Sequence, residues 1–499
     1  MLYIRMFLTM IVGLYTSRVV LNVLGVEDYG IYGVVGGVVA MLGFLNASMS
    51  GATSRFLTFE LGRGDQKRLA DTFSSALIVH IGIALIVLVI SETVGLWFLT
   101  HKLVIPSERM TAAHWVFQLS IFSAMLNITQ VPYNAAIIAH EKMDIYAYVE
   151  ILNVTLKLLI VYLLTIGNFD KLILYAALVF AVSVFILMVY RIYCIRHFQE
   201  SHFRFIWDKS ILSPLLKFSW QTMVAHMSYS FRLQGTNFAL NLIFGVIVNA
   251  ASGIAATVNG VISQFSINVL AAFNPQIIKQ YSQGNYETSC RLILSAAKYS
   301  TLLLLLIIIP FEFEAPQILK LWLGKVPDYT ITFNRLMMIS LLSCATTPIY
   351  TGLMAIGKIK EYSLIQAGLY LICPFIIYFT CLSYNIPELA YIVMLLIQII
   401  ASVILVIIFQ SNMMAFSVSK YLITILQSII LPSSVSILAC YFIYASFGPS
   451  FFRLVSIFAV NFFILCIFAL NGLSHAERSR INVIIQKKIL HKTNVGSYN

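Results

Sequence analysis

Apolar positions in this chain come in stretches of about 20 residues, each long enough to cross a bilayer as a helix, separated by short knots of charge, glycine and proline. Cutting at those knots predicts about 14 spans, near 2–24, 31–57, 72–100, 112–138, 146–166, 172–195, 213–243, 249–278, 290–318, 330–356, 362–383, 388–410, 420–445 and 451–472. Nothing alternates over about ten residues as an outer-membrane barrel strand would. The pattern is that of an all-α polytopic membrane protein. The first run outlasts a signal-peptide core, carries Arg18 and lacks a small-x-small cleavage site, so it is expected to persist as the first helix.

The same hydrophobic text is written twice, about 220 residues apart. Gly25, Val26, Gly33 and Val38 recur as Gly245, Val246, Gly253 and Val258, and Gly64 recurs as Gly284. Further on, Pro132, Lys142 and Tyr146 recur as Pro348, Lys358 and Tyr362. Matches in the same order at the same loops and helix ends predict two parallel six-helix lobes, a known ground plan of secondary transporters with the substrate site where the halves face each other. The expected division is 1–198 for the first lobe, 199–212 for a cytoplasmic linker and 213–411 for the second lobe. Two additional helices over 412–472 and a basic tail over 473–499 have no counterpart.

Composition agrees: 60% of the 499 residues are hydrophobic and 10% charged, against about 25% charged in a soluble domain. The net charge of +12 is mostly topology. Arg63, Lys67, Arg68, Lys142, Arg191, Arg196, Arg204, Lys209, Lys279, Lys358, Lys360 and Lys420 all fall on one side, as does the tail, and the positive-inside rule makes that side cytoplasmic, with both termini inside. These cations therefore do not mark a nucleic-acid surface. Ser474 and Glu477 form a capping box before Ile481, Ile484, Ile485 and Ile489, which predicts an interfacial helix on anionic membrane lipids. The seven cysteines have no metal-ligand spacing and read as small buried hydrophobes. No loop exceeds roughly 20 residues by this division, leaving no room for the catalytic loop of a membrane glycosyltransferase, and no phosphate loop is present. The chain is not expected to be an enzyme or to carry a cofactor or metal.

A charge in the hydrocarbon core costs about 2.5–3.5 kcal/mol even on the mild insertion scale, so each needs a reason. Arg232 lies roughly 16 Å from the outer end of its span, too deep to snorkel easily. It reads as a cavity residue facing an anion or as half of a buried ion pair. Arg18 lies roughly 9 Å below the outer end of the first helix, where snorkelling competes with the same cavity role. Lys157 sits near midplane and Lys298 about 12 Å into its span, with cavity lining and escape along the long stem both open. No acidic residue falls convincingly at midplane. Deep charge is thus mainly cationic, which favours an anionic ligand, and Arg suits phosphate through charge-assisted hydrogen bonds.

Asn22, Asn46, Asn237, Asn241, Asn259 and Gln264 suit a wet, sugar-tolerant lumen, against the alternative of interhelical hydrogen bonding. Gly33 and Gly37 read as close packing. Pro132 and Pro348 are expected to kink equivalent helices. His80 and His226 offer a proton relay or hydrogen-bonded packing.

The stretch from Ser17 and Arg18 through Asn22, Gly25, Glu27, Asp28, Tyr29 and Gly30 to Tyr32 resembles the opening of bacterial polysaccharide and O-antigen flippases, members of the multidrug/oligosaccharidyl-lipid/polysaccharide (MOP) exporter superfamily. Ser54, Arg55 and Phe56, then Gly62, Arg63, Gly64 and Asp65, continue the likeness, and paired six-helix lobes with two extra helices extend it over the whole chain. The resemblance implies a MATE-like fold in a bacterial inner membrane. It also implies translocation of a polyprenyl-diphosphate-linked oligosaccharide (a repeat unit of O-antigen, capsule or exopolysaccharide) from the cytoplasmic to the periplasmic leaflet by alternating access. Coupling to a proton or sodium gradient is implied as well, with polysaccharide polymerase and glycosyltransferases as partners. Two rivals stay open: a multidrug or cation antiporter of the same superfamily, which would place carboxylates deep in the membrane, and a non-transporting scaffold of a glycan-assembly complex.

Overall fold

A computed structural model describes residues 2–471 apart from 141, 165, 167, 168 and 207. The basic tail and its expected interfacial helix lie outside the described residues. Among those residues every regular element is helical. In chain order the helices are α1 (Leu2–Met41), α2 (Gly43–Arg63), α3 (Gln66–Ile90), α4 (Leu96–His101), α5 (Met110–Ala139), α6 (Met143–Leu163), α7 (Lys171–His197), α8 (Lys209–Phe244) and α9 (Val246–Ser282). There follow α10 (Tyr286–Leu323), α11 (Thr330–Ser340), α12 (Thr347–Ile356), α13 (Ile359–Tyr384), α14 (Leu389–Asn412), α15 (Val418–Ile425), α16 (Leu431–Ser446) and α17 (Phe451–Asn471). A π turn over Ser91–Gly95 joins α3 to α4, and another over Leu426–Ile430 joins α15 to α16. Among the described residues, nine helical runs are long and apolar enough to span a bilayer, and the chain is a multi-pass membrane protein.

The duplication reappears as backbone geometry. Gly25 interrupts α1 at φ 83°, ψ 170°, and its repeat partner Gly245 separates α8 from α9 at φ 77°, ψ −167°. Both occupy a region essentially restricted to glycine. Gly64 and Gly284 likewise share positive φ, 74° and 78°. The expected loop around 25–30 does not form: helix resumes at once after Gly25. The polar run is compatible with helix because Asp28 finds a partner, Arg109, whose Nε and Nη2 donate to its carboxylate at 2.8 and 2.6 Å. The predicted span 31–57 is instead broken at Leu42, between α1 and α2.

Two compact units stand out. The first comprises the chain up to Val261 together with 319–340 and 360–401; the second comprises 262–318, 341–359 and the chain from 402 onward. In the first unit Ile31, Val34 and Val35, at helical spacing, enter a core with Leu99, Phe117 and Leu172. A separate core gathers Leu57, Phe73, Tyr133, Tyr190 and Phe198. Lipid tails are as apolar as leucine, so helices here associate through close packing and hydrogen bonds rather than escape from water. Gly30 shows how tight that packing is: a Cβ added there would lie 2.0 Å from the Val246 carbonyl oxygen.

In the second unit Leu302, Leu305, Ile309, Cys440, Ile457 and Leu465 form the core. Asn461 stitches it, accepting from Ser436 Oγ at 2.5 Å and donating to the Leu306 carbonyl at 2.9 Å. Glu314 of α10 pairs with Arg453 of α17, so the last helix, an appendage by sequence, is tied into this unit by charge.

Candidate functional site

Beyond Gly25, α1 has two faces. While Ile31, Val34 and Val35 enter the core, Gly33, Gly36, Gly37 and Ala40 line a cavity of about 450 Å³. Across it, Ser120, Ser123 and Asn127 of α5 stand at i, i+3 and i+7 and so share one helix face. Gln234 and Asn237 of α8 complete its polar lining. Tyr32 and Gly33 also line a smaller cavity of about 200 Å³ with Ser17, Tyr29, Tyr175 and Asn249. No charged side chain of the described residues lines either one. Gly37 is packed as expected, its Cβ position 2.8 Å from Gln234 Oε1, whereas Gly33 opens onto both cavities.

An amide network lies beside them. The Val104 N–H donates to Asn241 Oδ1 at 2.9 Å, and Asn241 Nδ2 lies 3.5 Å from the Val104 carbonyl and 2.9 Å from Asn249 Oδ1. Asn249 donates to the Asn237 carbonyl at 2.8 Å, and Asn237 Oδ1 accepts from Ser252, itself hydrogen-bonded to Tyr391. Asn241 thus links α8 to the loop after α4.

Arg232, the deepest sequence candidate, has no acidic partner among the described residues. Its guanidinium lies 4.2 Å from the centre of the Tyr370 ring, and Nη1 donates to Gln398 Oε1 at 3.1 Å. Tyr370 donates to the same oxygen at 2.9 Å, and Arg232 Nε is buried without a partner. Arg18 is half-buried one residue after Ser17, with no hydrogen bond or ion pair among the described residues. Lys157 lies on the exposed face of α6, while Lys298 is buried over the Tyr299 ring at 5.0 Å. The four cations do not converge on the polar cavities.

Of the amides, Asn237 lines the larger cavity, and Asn241 is fully buried in its network. Asn46 keeps a buried Oδ1 without a partner, Asn259 donates to the Met337 carbonyl at 3.2 Å, and Asn22 and Gln264 are exposed. Pro132 lies inside an uninterrupted α5, whereas Pro348 starts α12 after the 3-10 stretch Leu341–Thr346. His80 is buried with Nδ1 2.8 Å from the Ala76 carbonyl, and His226 is exposed. No group of three metal-ligating side chains converges among the described residues. The sequence reading missed Tyr32, Ser120, Ser123, Asn127 and Tyr175; the i, i+3, i+7 polar spacing on α5 was the available signal.

Arg109 bridges two carboxylates, donating to Asp170 as well as Asp28, at 2.6 and 3.2 Å. Asp170 also caps α7 by accepting from the Leu172 and Ile173 N–H groups. Burial works to raise the Asp170 carboxyl, but Arg109 and those backbone donors outweigh it and hold it below the usual carboxylate value. A third cavity, about 630 Å³, lies on a neighbouring face of α1 and α8, among Val38, Val94, Phe98, Phe238 and Phe375. Its lining is almost wholly apolar.

No protein-family model and no curated protein sequence matches the chain. Solved structures do. The lipid II flippase MurJ in an inward closed conformation superposes with a TM-score of 0.71 at 12% identity, over 94% of this chain and 97% of that one. An inward-facing multidrug resistance MATE family transporter of the MOP superfamily gives 0.61 at 15% identity, over 82% of this chain and 95% of that one. A MOP superfamily transporter from Pyrococcus furiosus, described as having a binding pocket of reverse polarity, gives 0.56 at 16% identity over 83% and 95%. These neighbours are transporters rather than enzymes, and the fold of this chain is the one shared by the lipid II flippase and the MATE transporters of the MOP superfamily.

Proposed function

We propose that this protein is a flippase of the polysaccharide and O-antigen type, carrying a polyprenyl-diphosphate-linked oligosaccharide from the cytoplasmic to the periplasmic leaflet of a bacterial inner membrane. The observation that carries the reading is the uncharged lining of hydroxyls and amides inside a MOP-type fold, a surface suited to glycan. Arg232 supports it. Its contacts with Tyr370, Gln398 and Tyr229 leave the positive charge uncancelled and available to a diphosphate. Arg18, Lys157 and Lys298 are assigned to the same anion at other stages of its passage. Transport proceeds by rocking of 1–198 against 213–411, driven by a proton or sodium gradient, with both termini in the cytoplasm and glycan polymerase and glycosyltransferases as neighbours. The MATE likeness carries the second reading, cation antiport, but neither polar cavity has a lining carboxylate.

The test is reconstitution in proteoliposomes with a labelled polyprenyl-diphosphate oligosaccharide from the host. The readout is how fast the glycan becomes accessible to an enzyme confined to one side. Acceleration by wild type that is lost in Arg232→Ala supports both translocation and the anion role. Equal rates remove Arg232 from the mechanism. No acceleration over empty liposomes under an imposed gradient sinks the flippase reading in favour of the antiporter or the scaffold.

A further inference from the structure

We infer that the larger polar cavity is a sugar site. It accepts an uncharged pyranose ring of the lipid-linked glycan and rejects acidic sugars and the diphosphate itself. This rests on the flippase reading and adds to it where the glycan sits and which chemistry is selected.

The first ground is the state of the hydroxyls on α5. Serine and threonine in apolar helices commonly satisfy themselves on the carbonyl one turn back, as Ser17 does on Gly13 at 2.9 Å, Thr155 on Ile151 at 2.9 Å and Ser183 on Val179 at 3.0 Å. Ser120 and Ser123 make no such bond and no other among the described residues, yet both line the cavity. Asn127, on the same helix face, is exposed and likewise without a partner there. Three polar side chains in a row are thus left for an occupant that hydrogen-bonds in several directions at once, as ring hydroxyls do.

The second ground is charge. The lining holds no cation to neutralise a phosphate or uronate, and placing an anion in such a lining leaves its charge uncompensated. The third is shape. Gly33, Gly36 and Gly37 make a floor without side chains, and Tyr32 stands on the wall against Tyr175, ring centroids 4.8 Å apart. A flat floor beside an aromatic wall fits a ring. The volume of about 450 Å³ is that of a small-molecule site.

The experiment uses the full chain in proteoliposomes with a cysteine at Ser123 (Ser123→Cys) and, as an independent copy of the readout, Asn127→Cys. Maleimide labelling of the new cysteine is followed by mass spectrometry with three probes: bare undecaprenyl diphosphate, the same lipid bearing N-acetylglucosamine, and the same lipid bearing glucuronic acid. The neutral sugar should slow labelling about tenfold, about 1.4 kcal/mol of occupancy, and the other two should leave it unchanged. Gly36→Leu, which fills the cavity without removing a polar group, should abolish the protection. Equal protection by the bare lipid or by the uronate overturns the proposal. Translocation of the neutral probe without protection overturns the sugar site while leaving the flippase intact. Protection without translocation keeps the site and sinks the flippase reading instead.

Discussion

Glu314 and Arg453 meet through two parallel hydrogen bonds, Nε to Oε1 at 2.5 Å and Nη2 to Oε2 at 2.9 Å, with both side chains almost wholly buried. Arg453 also donates to the Phe447 carbonyl at 3.0 Å and lies 4.5 Å from the Tyr444 ring centre. Removing either partner strands a buried charge, at a cost of about 3–5 kcal/mol, whereas a well-packed neutral pair is close to harmless. Arg453→Met and Glu314→Leu alone should each lower the melting temperature of the detergent-solubilised protein, and the double variant should recover most of the loss. A double variant as unstable as the singles would show that α17 is not held by this pair.

The Asp28–Arg109–Asp170 triad gives an acid-side signature. Asp170 titrates below the unfolded aspartate value of about 3.9, so its contribution to stability is fully present above that pH and is lost as pH falls through its folded value. Arg109→Gln should lower the melting temperature at neutral pH and flatten the decline between about pH 4 and the folded value. A parallel, merely displaced pH curve would rule the triad out as its source.

The contact of Gly30 with Val246 and the amide link of Asn241 to Val104 both belong to the conformation described here. Asn241→Ala removes hydrogen bonds worth about 0.6 kcal/mol each in a membrane, a modest bias. Gly30→Val is harsher, because its side chain would collide with the Val246 carbonyl oxygen. Both should increase maleimide labelling of a cysteine at Thr16, which lines the smaller cavity, with Gly30→Val the larger effect. Unchanged labelling in Gly30→Val would show that this approach does not control access.

Arg232→Lys tests whether charge alone suffices. Lysine keeps the charge but loses the planar stacking on Tyr370 and the geometry toward Gln398. Losing a charge-assisted hydrogen bond, about 1.5–3 kcal/mol, corresponds to roughly a 10- to 150-fold slower glycan translocation. Wild-type rates in Arg232→Lys would mean that a point charge is enough.

The helices and the duplication were legible because length and hydrophobicity determine a span, and a backbone conformation that only glycine tolerates leaves a glycine in both copies, as at Gly25 and Gly245. The helical course of Glu27 and Asp28 was not legible, since it depends on Arg109, distant in sequence. The site was harder. Ser120, Ser123 and Asn127 are the residue types that serve as hydrogen-bonding glue between helices, and only the opposing glycine face shows that they meet open space. Arg232 was found by its depth, but its stacking on Tyr370 depends on how α8 and α13 lie together.

The π turn at Ser91–Gly95 has a consequence for insertion and deletion. Such a turn holds one residue more than the regular helix, so α4 follows α3 with its faces offset. Deleting a single residue there should heal the helix locally while swinging everything after it by roughly 100°. Leu99, fully buried in the core with Phe117, would be turned away, and the loop carrying Val104 would leave Asn241. One codon in this stretch therefore acts as a phase marker: a substitution alters a contact, whereas a loss shifts the reading of the whole helix end.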